Sequence, residues 1–254
     1  CDEGYGTLMI KVIMNGCNGH MGHVISDLIF DDDDMEIVAG IDISGEGDCS
    51  YPVYTDIFNC KVNADVMIDF SSYKATNRVL EYCGQRKLPL VLCTTGLTEE
   101  QLNLVSKMSR ETAILHSANM SLGINVLFKL IQDAAKVLAP AGFDMEIVEK
   151  HHRLKKDAPS GTAIALADHL NQALDKQYHY CFDRSQRHEE RDSKEIGISS
   201  VRGGTIAGDH DVIFAGTDEV ITICHQASSK GVFGKGALEA ARYLANKPAG
   251  LIIC

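Results

Sequence analysis

Residues 149–163 read EKHHRLKKDAPSGTA and gather proton donors, cations and a helix-opening turn in one short stretch. His151 and Lys155 are side chains that can give a proton to a reacting atom. Arg153 and Lys156 add positive charge, and Asp157 could orient one of the cations. In an extended chain His151, Arg153 and Lys155 share a face; in a helix, positions i and i+4 share a side. Either geometry lets His151 and Lys155 point into one site. Pro159-Ser160-Gly161-Thr162 then precedes AIALADHLNQAL, whose apolar residues recur at helical spacing. Ser160 or Thr162 can act as a plain N-cap, and the same amides, with the helix dipole, can bind a carboxylate. The neighbouring cations favour the anion site. The chain of 254 residues carries a net charge of -11, so it repels an acidic small molecule unless a local positive pocket captures it. Arg202 is either a further anion contact or a surface arginine.

A second set of residues suits a nucleotide. GCNGHMG places Gly16, Gly19 and Gly22 between an apolar run and a helix-like stretch, where glycines let a pyrophosphate approach the helix amides. Turns also collect glycine, so the triplet alone is ambiguous. Asp42 comes twenty residues after Gly22 and ends the next strand, where a carboxylate can bind the ribose hydroxyls. Ile43 and Ser44 follow it, with no arginine for a 2′-phosphate, which favours NAD(H) over NADP(H). Cys93-Thr94-Thr95-Gly96 and Ser117-Ala118-Asn119-Met120 end two later strands. They could frame a nicotinamide ring, or be ordinary strand-ending turns.

The elements that must position these residues alternate. IKVIMNG, EIVAGID, DVMIDFS, LPLVLCTTG and AILHSAN read as strands, with helical spacing at Met21, Val24, Ile25, Leu28 and Ile29 and between the later runs. The pattern predicts an α/β, doubly wound parallel sheet. GINVLFKLIQDAAKVLAP reads as a long helix ended by Pro140, and FDMEIVEKHH as a strand. EIGISSVRGGTIAGDHDVIFAGTDEVITICHQASSKG predicts several strands, antiparallel to one another, in an α+β unit with a mixed, largely antiparallel sheet. RSQRHEERDSK reads as a mobile surface loop, Asp31–Asp34 as a solvated acidic run, and GALEAARYLANKPAG as a final helix. The acidic balance argues against nucleic acid. No apolar run approaches the roughly 18 residues of a membrane span. The first residues lack a secretory layout and read as a leader ahead of a start near Met9. The nine scattered cysteines lack metal-ligand spacing and read as reduced thiols in the cytoplasm.

GCNGHMG, the CTTG loop, SANMSLGINV, VRGGTIAGDHDVIFAG and above all EKHHRLKKDAPSGTA resemble the dihydrodipicolinate reductase family, from about Met9 to near the carboxyl end. The resemblance implies reduction of a cyclic dicarboxylate in lysine and diaminopimelate biosynthesis, by a cytoplasmic homotetramer joined through its second-domain sheets. It implies a Rossmann dinucleotide-binding domain over 1–121 and 231–254, and a substrate-binding and oligomerisation domain over 122–230. It also implies NADH as preferred cofactor with NADPH as the alternative, and no metal. Carried over by position, His151 matches the general acid and Lys155 a second proton donor, while His152, Gly161 and Thr162 match carboxylate-binding residues. Gly16, Cys17, Asn18, Gly19, His20, Met21, Asp42, Cys93, Thr94, Thr95, Ser117, Ala118, Asn119 and Met120 match cofactor contacts. The chain departs from many relatives in having Met120 in place of phenylalanine and in ending sooner, at LIIC. The competing readings are another nicotinamide-dependent oxidoreductase acting on a small acid, and a non-catalytic NAD-binding protein.

Overall fold

Short runs of β-branched and other apolar residues, closed by glycine and proline turns, set the strands. The computed structural model describes residues 9–45, 47, 49–117 and 119–253. Two compact units emerge: residues up to Met120 together with those from Gly231 onward, and Ser121–Lys230.

In the first unit β1 (Ile10–Asn15) buries Val12, Ile13 and Met14 on both faces, as a central parallel strand must. It leads into α1 (His20–Phe30), then β2 (Met35–Ile41), a short β3 (Val53–Tyr54) and β4 (Val66–Asp69). A single turn of 3-10 helix at Ile57–Asn59 stands between β3 and β4 where the alternation would otherwise place an α-helix. α2 (Thr76–Arg86), β5 (Leu90–Leu92), α3 (Glu99–Met108) and β6 (Ala113–His116) follow, and every pairing is parallel. Thr98 and Gln101 form a capping box that starts α3.

The second unit begins with α4 (Leu122–Leu138), capped by Ser121, and continues through β7 (Asp144–His151), α5 (Gly161–Ala173) and β8 (His179–Cys181). β9 (Glu195–Arg202), β10 (Gly208–Ala215) and β11 (Val220–Ala227) complete a sheet ordered β11-β10-β7-β9-β8. β10 runs antiparallel to β7 and β11, but β9 runs parallel to both β7 and β8. The sheet is therefore mixed, with parallel and antiparallel ladders in equal number. α5 supplies a crossover, and a parallel strand requires one. α4 and α5 cover one face through Ile124, Ile131, Leu166 and Leu170.

The arginine-rich stretch before β9 is not a free loop. Arg184 and Arg187 pair with the buried Glu195, and Arg191 bridges Asp144 at 2.6 Å and Glu146 at 3.0 Å. The strand ends bury or partly bury three carboxylates, and the arginines neutralise them.

The chain then re-enters the first unit as α6 (Gly231–Leu244) and β12 (Gly250–Ile253). β12 pairs parallel with β6, so the tail read as a helix alone also contributes a strand, and the first sheet runs β12-β6-β5-β4-β1-β2-β3. α1 and α6 cover one face of it, α2 and α3 the other. The acidic run is only partly solvated, because Asp32 pairs with Arg242 of α6. Among the described residues no helix is long and apolar enough to cross a membrane.

Candidate active site

The glycine loop sits at the carboxyl end of β1. Gly16 has φ +82, which only glycine adopts without strain, and a Cβ there would stand 2.9 Å from the Phe70 carbonyl oxygen. A Cβ on Gly22 would run into the carbonyl oxygens of Gly16 and Cys17. Their absence lets α1 start hard against the loop. Gly19 caps that helix with no side-chain hydrogen bond and no acid in the first turn, so no side chain of that turn neutralises the positive end of α1. His20 is exposed and Met21 half-buried at its start. Cys17 points inward, and burial, with Cys49 and Asp42 nearby, pushes its thiol up to about 12.

Asp42 follows β2. Its Oδ2 accepts from the Asn18 amide at 3.2 Å, tying it to the glycine loop, and its Oδ1 accepts from the Ser44 amide at 3.0 Å. Gly16, Gly19, Asp42 and Ile43 line one cleft of about 580 Å³. Arg78 of α2 lines it too, held by Asp56 at 2.6 Å and lying over the Phe58 ring. The sequence around Asp42 shows no arginine; the fold brings one from 36 residues away.

The two later loops are anchored from below. Asp69 is fully buried at the end of β4 and accepts from Asn15 Nδ2 at 2.6 Å, Ser71 Oγ at 2.6 Å and Thr94 Oγ1 at 2.7 Å. Burial pushes its carboxyl up, and these donors oppose the shift. Cys93 is buried and Thr95 exposed. Ser117 Oγ accepts from the Asn119 amide at 3.2 Å and donates to the Asn119 carbonyl at 2.8 Å, closing a small turn. Ala118 lies outside the described residues. Met120 is buried in the core beneath α6.

The second unit gathers the basic stretch. β7 alternates strictly, so the face that buries Met145 and Ile147 also carries Glu149 and His151. Register does the rest: Glu149 lies opposite His210 of β10 and Ser200 of β9, and His151 opposite Arg202. His151 Nδ1 meets Glu149 Oε2 at 2.6 Å, and Arg202 forks onto both Glu149 oxygens at 2.7 and 2.8 Å. Arg202 is thus neither a free anion contact nor a bare surface arginine. Burial would raise the Glu149 carboxyl, yet hydrogen bonds from Arg202, Ser200, His151 and Ser160 hold it at about 2. Burial lowers the proton affinity of His151; Glu149 pulls it back up, while Lys155 and Arg202 push it further down.

β7 stops at His151, and the next residues turn rather than continue as strand or helix. The Lys155 amide donates to the His152 carbonyl at 3.1 Å. That turn, not face alternation, returns Lys155 toward His151, and Asp157 holds its ammonium at 2.9 Å. Arg153 is exposed and His152 half-buried. Ser160 is the N-cap of α5: its Oγ accepts from the Ala163 amide at 3.1 Å and contacts His210 Nε2 at 3.0 Å. Gly161 opens α5 with empty space where a Cβ would stand. The sequence reading did not single out Glu149 or His210. Met145 and Ile147, two residues apart, were the signal that puts Glu149 on their face, although Val148 breaks the apolar alternation; His210 had none, because strand register alone places it.

Two family models meet at the first boundary between the units, and the second runs on through α6 and β12. The model described as dihydrodipicolinate reductase, N-terminus, matches residues 10–120, and its C-terminal counterpart matches 123–253. The chain belongs to the dihydrodipicolinate reductase family. A 4-hydroxy-tetrahydrodipicolinate reductase of Caldanaerobacter subterraneus subsp. tengcongensis is 52% identical over 96% of both chains. One from Clostridium tetani is 46% identical over 96% of this chain and 95% of its own. A dipicolinate-bound dihydrodipicolinate reductase from Paenisporosarcina sp. TG-14 superposes with a TM-score of 0.78 over 97% of this chain and 98% of its own, at 23% identity. The glycine loop lies inside the first matched segment and the His151 cluster inside the second.

Proposed function

We propose that the protein reduces 4-hydroxy-tetrahydrodipicolinate to tetrahydrodipicolinate in lysine and diaminopimelate biosynthesis. The observation that carries this reading is the buried His151, held by Glu149 beside Lys155 and the start of α5, in a chain of this family. The ring gains a hydride and a proton and loses its hydroxyl as water. Gly16, the open N-terminus of α1 and Asp42 fit a dinucleotide, whose reduced nicotinamide supplies the hydride. Asp42 favours the free ribose hydroxyls of NADH; Arg78 offers a cation on the same cleft for the 2′-phosphate of NADPH.

His151 and Lys155 hold the protons, and a positioned donor is worth about 10²–10⁴-fold in rate. His152 and the Gly161-Thr162 segment, with the positive end of α5, hold the carboxylates. The reading extends to a cytoplasmic homotetramer assembled on the second sheet. Its support is β11, a sheet edge that leaves Val220 and Ile221 at the surface. The deciding experiment is nucleotide oxidation with freshly generated substrate, run with NADH and NADPH beside a panel of oxo acids. Substrate-dependent turnover, faster with NADH, is expected. Turnover with neither nucleotide, or only with an oxo acid, overturns the reading.

A further inference from the structure

Glu149 is fully buried, where an unpaired carboxylate is costly. Its two oxygens are saturated with donors. Oε2 meets His151 Nδ1 at 2.6 Å and Arg202 Nη1 at 2.8 Å; Oε1 meets Arg202 Nη2 at 2.7 Å and the Ser160 amide at 3.0 Å. A carboxylate held ionised by that fork can only accept, so Nδ1 of His151 must donate. We propose that Glu149 is the positioning residue for His151, fixing Nδ1 as the protonated nitrogen of the neutral ring and Nε2 as the atom that delivers the proton to substrate. The inference rests on His151 being the proton donor of the proposed reaction.

The far side of the ring fits this assignment. A Cβ on Gly208 would stand 3.1 Å from Nε2, so glycine there keeps a side chain from crowding that nitrogen. With its only proton on Nδ1 the neutral ring has none to give from Nε2. His151 therefore takes a proton from solvent at Nε2 and becomes an imidazolium. It then returns that proton to the substrate ring, the N–H electron pair staying on Nε2. Glu149 stabilises the imidazolium, against Arg202 from β9, Lys155 from the following turn and His210 from β10, whose ring lies 5.2 Å away. The carboxylate thus fixes which nitrogen acts and raises the fraction of enzyme that is charged.

Glu149→Gln keeps the shape and removes the charge. It is expected to lower kcat at least tenfold at neutral pH, move the alkaline limb of the kcat profile to lower pH, and leave the Kd for NADH unchanged. In a His151→Gln background the same change is expected to have no further effect on kcat. Nitrogen-15 NMR of the wild-type enzyme tests the tautomer without any variant, so misfolding of Glu149→Gln leaves the question decidable. A neutral His151 protonated on Nε2 overturns the proposal, as does a Glu149→Gln enzyme with wild-type kcat and pH profile. If the wild type turns over no substrate, the proposed reaction fails instead, while the tautomer still reports on the pair.

Discussion

The proton donation we propose rests on two side chains with different environments. His151 is buried against a carboxylate; Lys155 is partly exposed and pinned by Asp157. His151→Gln and Lys155→Ala are each expected to lower kcat by about 10²–10⁴-fold, with the Kd for NADH, followed by nucleotide fluorescence, unchanged. Wild-type kcat in either variant would move the proton elsewhere. These residues were legible because they stand within five positions of one another. Arg202 and His210 were not, since each reaches Glu149 or its neighbours only through strand register across β7, β9 and β10. A linear reading sees a basic island. The fold shows a charge-balanced cluster with one buried acid at its centre.

The elements carry a second contrast, between two glycines at two helix starts. Gly22 in α1 has backbone carbonyls where a methyl would go, whereas Gly161 in α5 has open space. Gly22→Ala is expected to lower Tm and weaken NADH binding at least tenfold, because α1 must retreat from the loop we propose as the phosphate cradle. Gly161→Ala is expected to leave Tm unchanged and raise KM for the dicarboxylate, because only a ligand would meet the new methyl. Thermal melts and steady-state kinetics on the two variants separate these outcomes; equal losses of Tm would refute the contrast. Strands β1, β2, β4, β5 and β6 were legible as apolar runs. The parallel setting of β9 and the extra strand β12 were not, because apolar spacing marks a strand without naming its partner.

Across the molecule, burial of ionisable groups sets an acid limit on stability. Burial lowers His210 from its ordinary 6.5 to about 4, with His151 adding to the shift. The folded chain therefore binds fewer protons there than the unfolded chain between these values. This contribution to stability is full above pH 6.5, is lost as pH falls from 6.5 to about 4, and changes no further below that. From pH 7 to pH 5 this single group removes about 2 kcal/mol. Glu149, held at about 2 against an ordinary 4.5, adds a further loss below pH 4.5. Urea unfolding between pH 7 and 5 should show the first loss in the wild type and a smaller one in His210→Asn; identical pH dependence in both would exclude His210 as its source.

The return of α6 and β12 to the first sheet has a consequence for synthesis. The ribosome releases β1 to β6 first, then the whole of the second unit, and only then the two elements that seal the first sheet. Until α6 and β12 emerge, β6 is a sheet edge with unpaired amides and carbonyls, and the face that α6 covers is bare to water. The second unit has all its strands by Ala227 and can close while the chain is still being made. Loss of β12 would therefore injure the half of the molecule that was translated first, and a chain stalled before it would carry one finished unit and one adhesive edge.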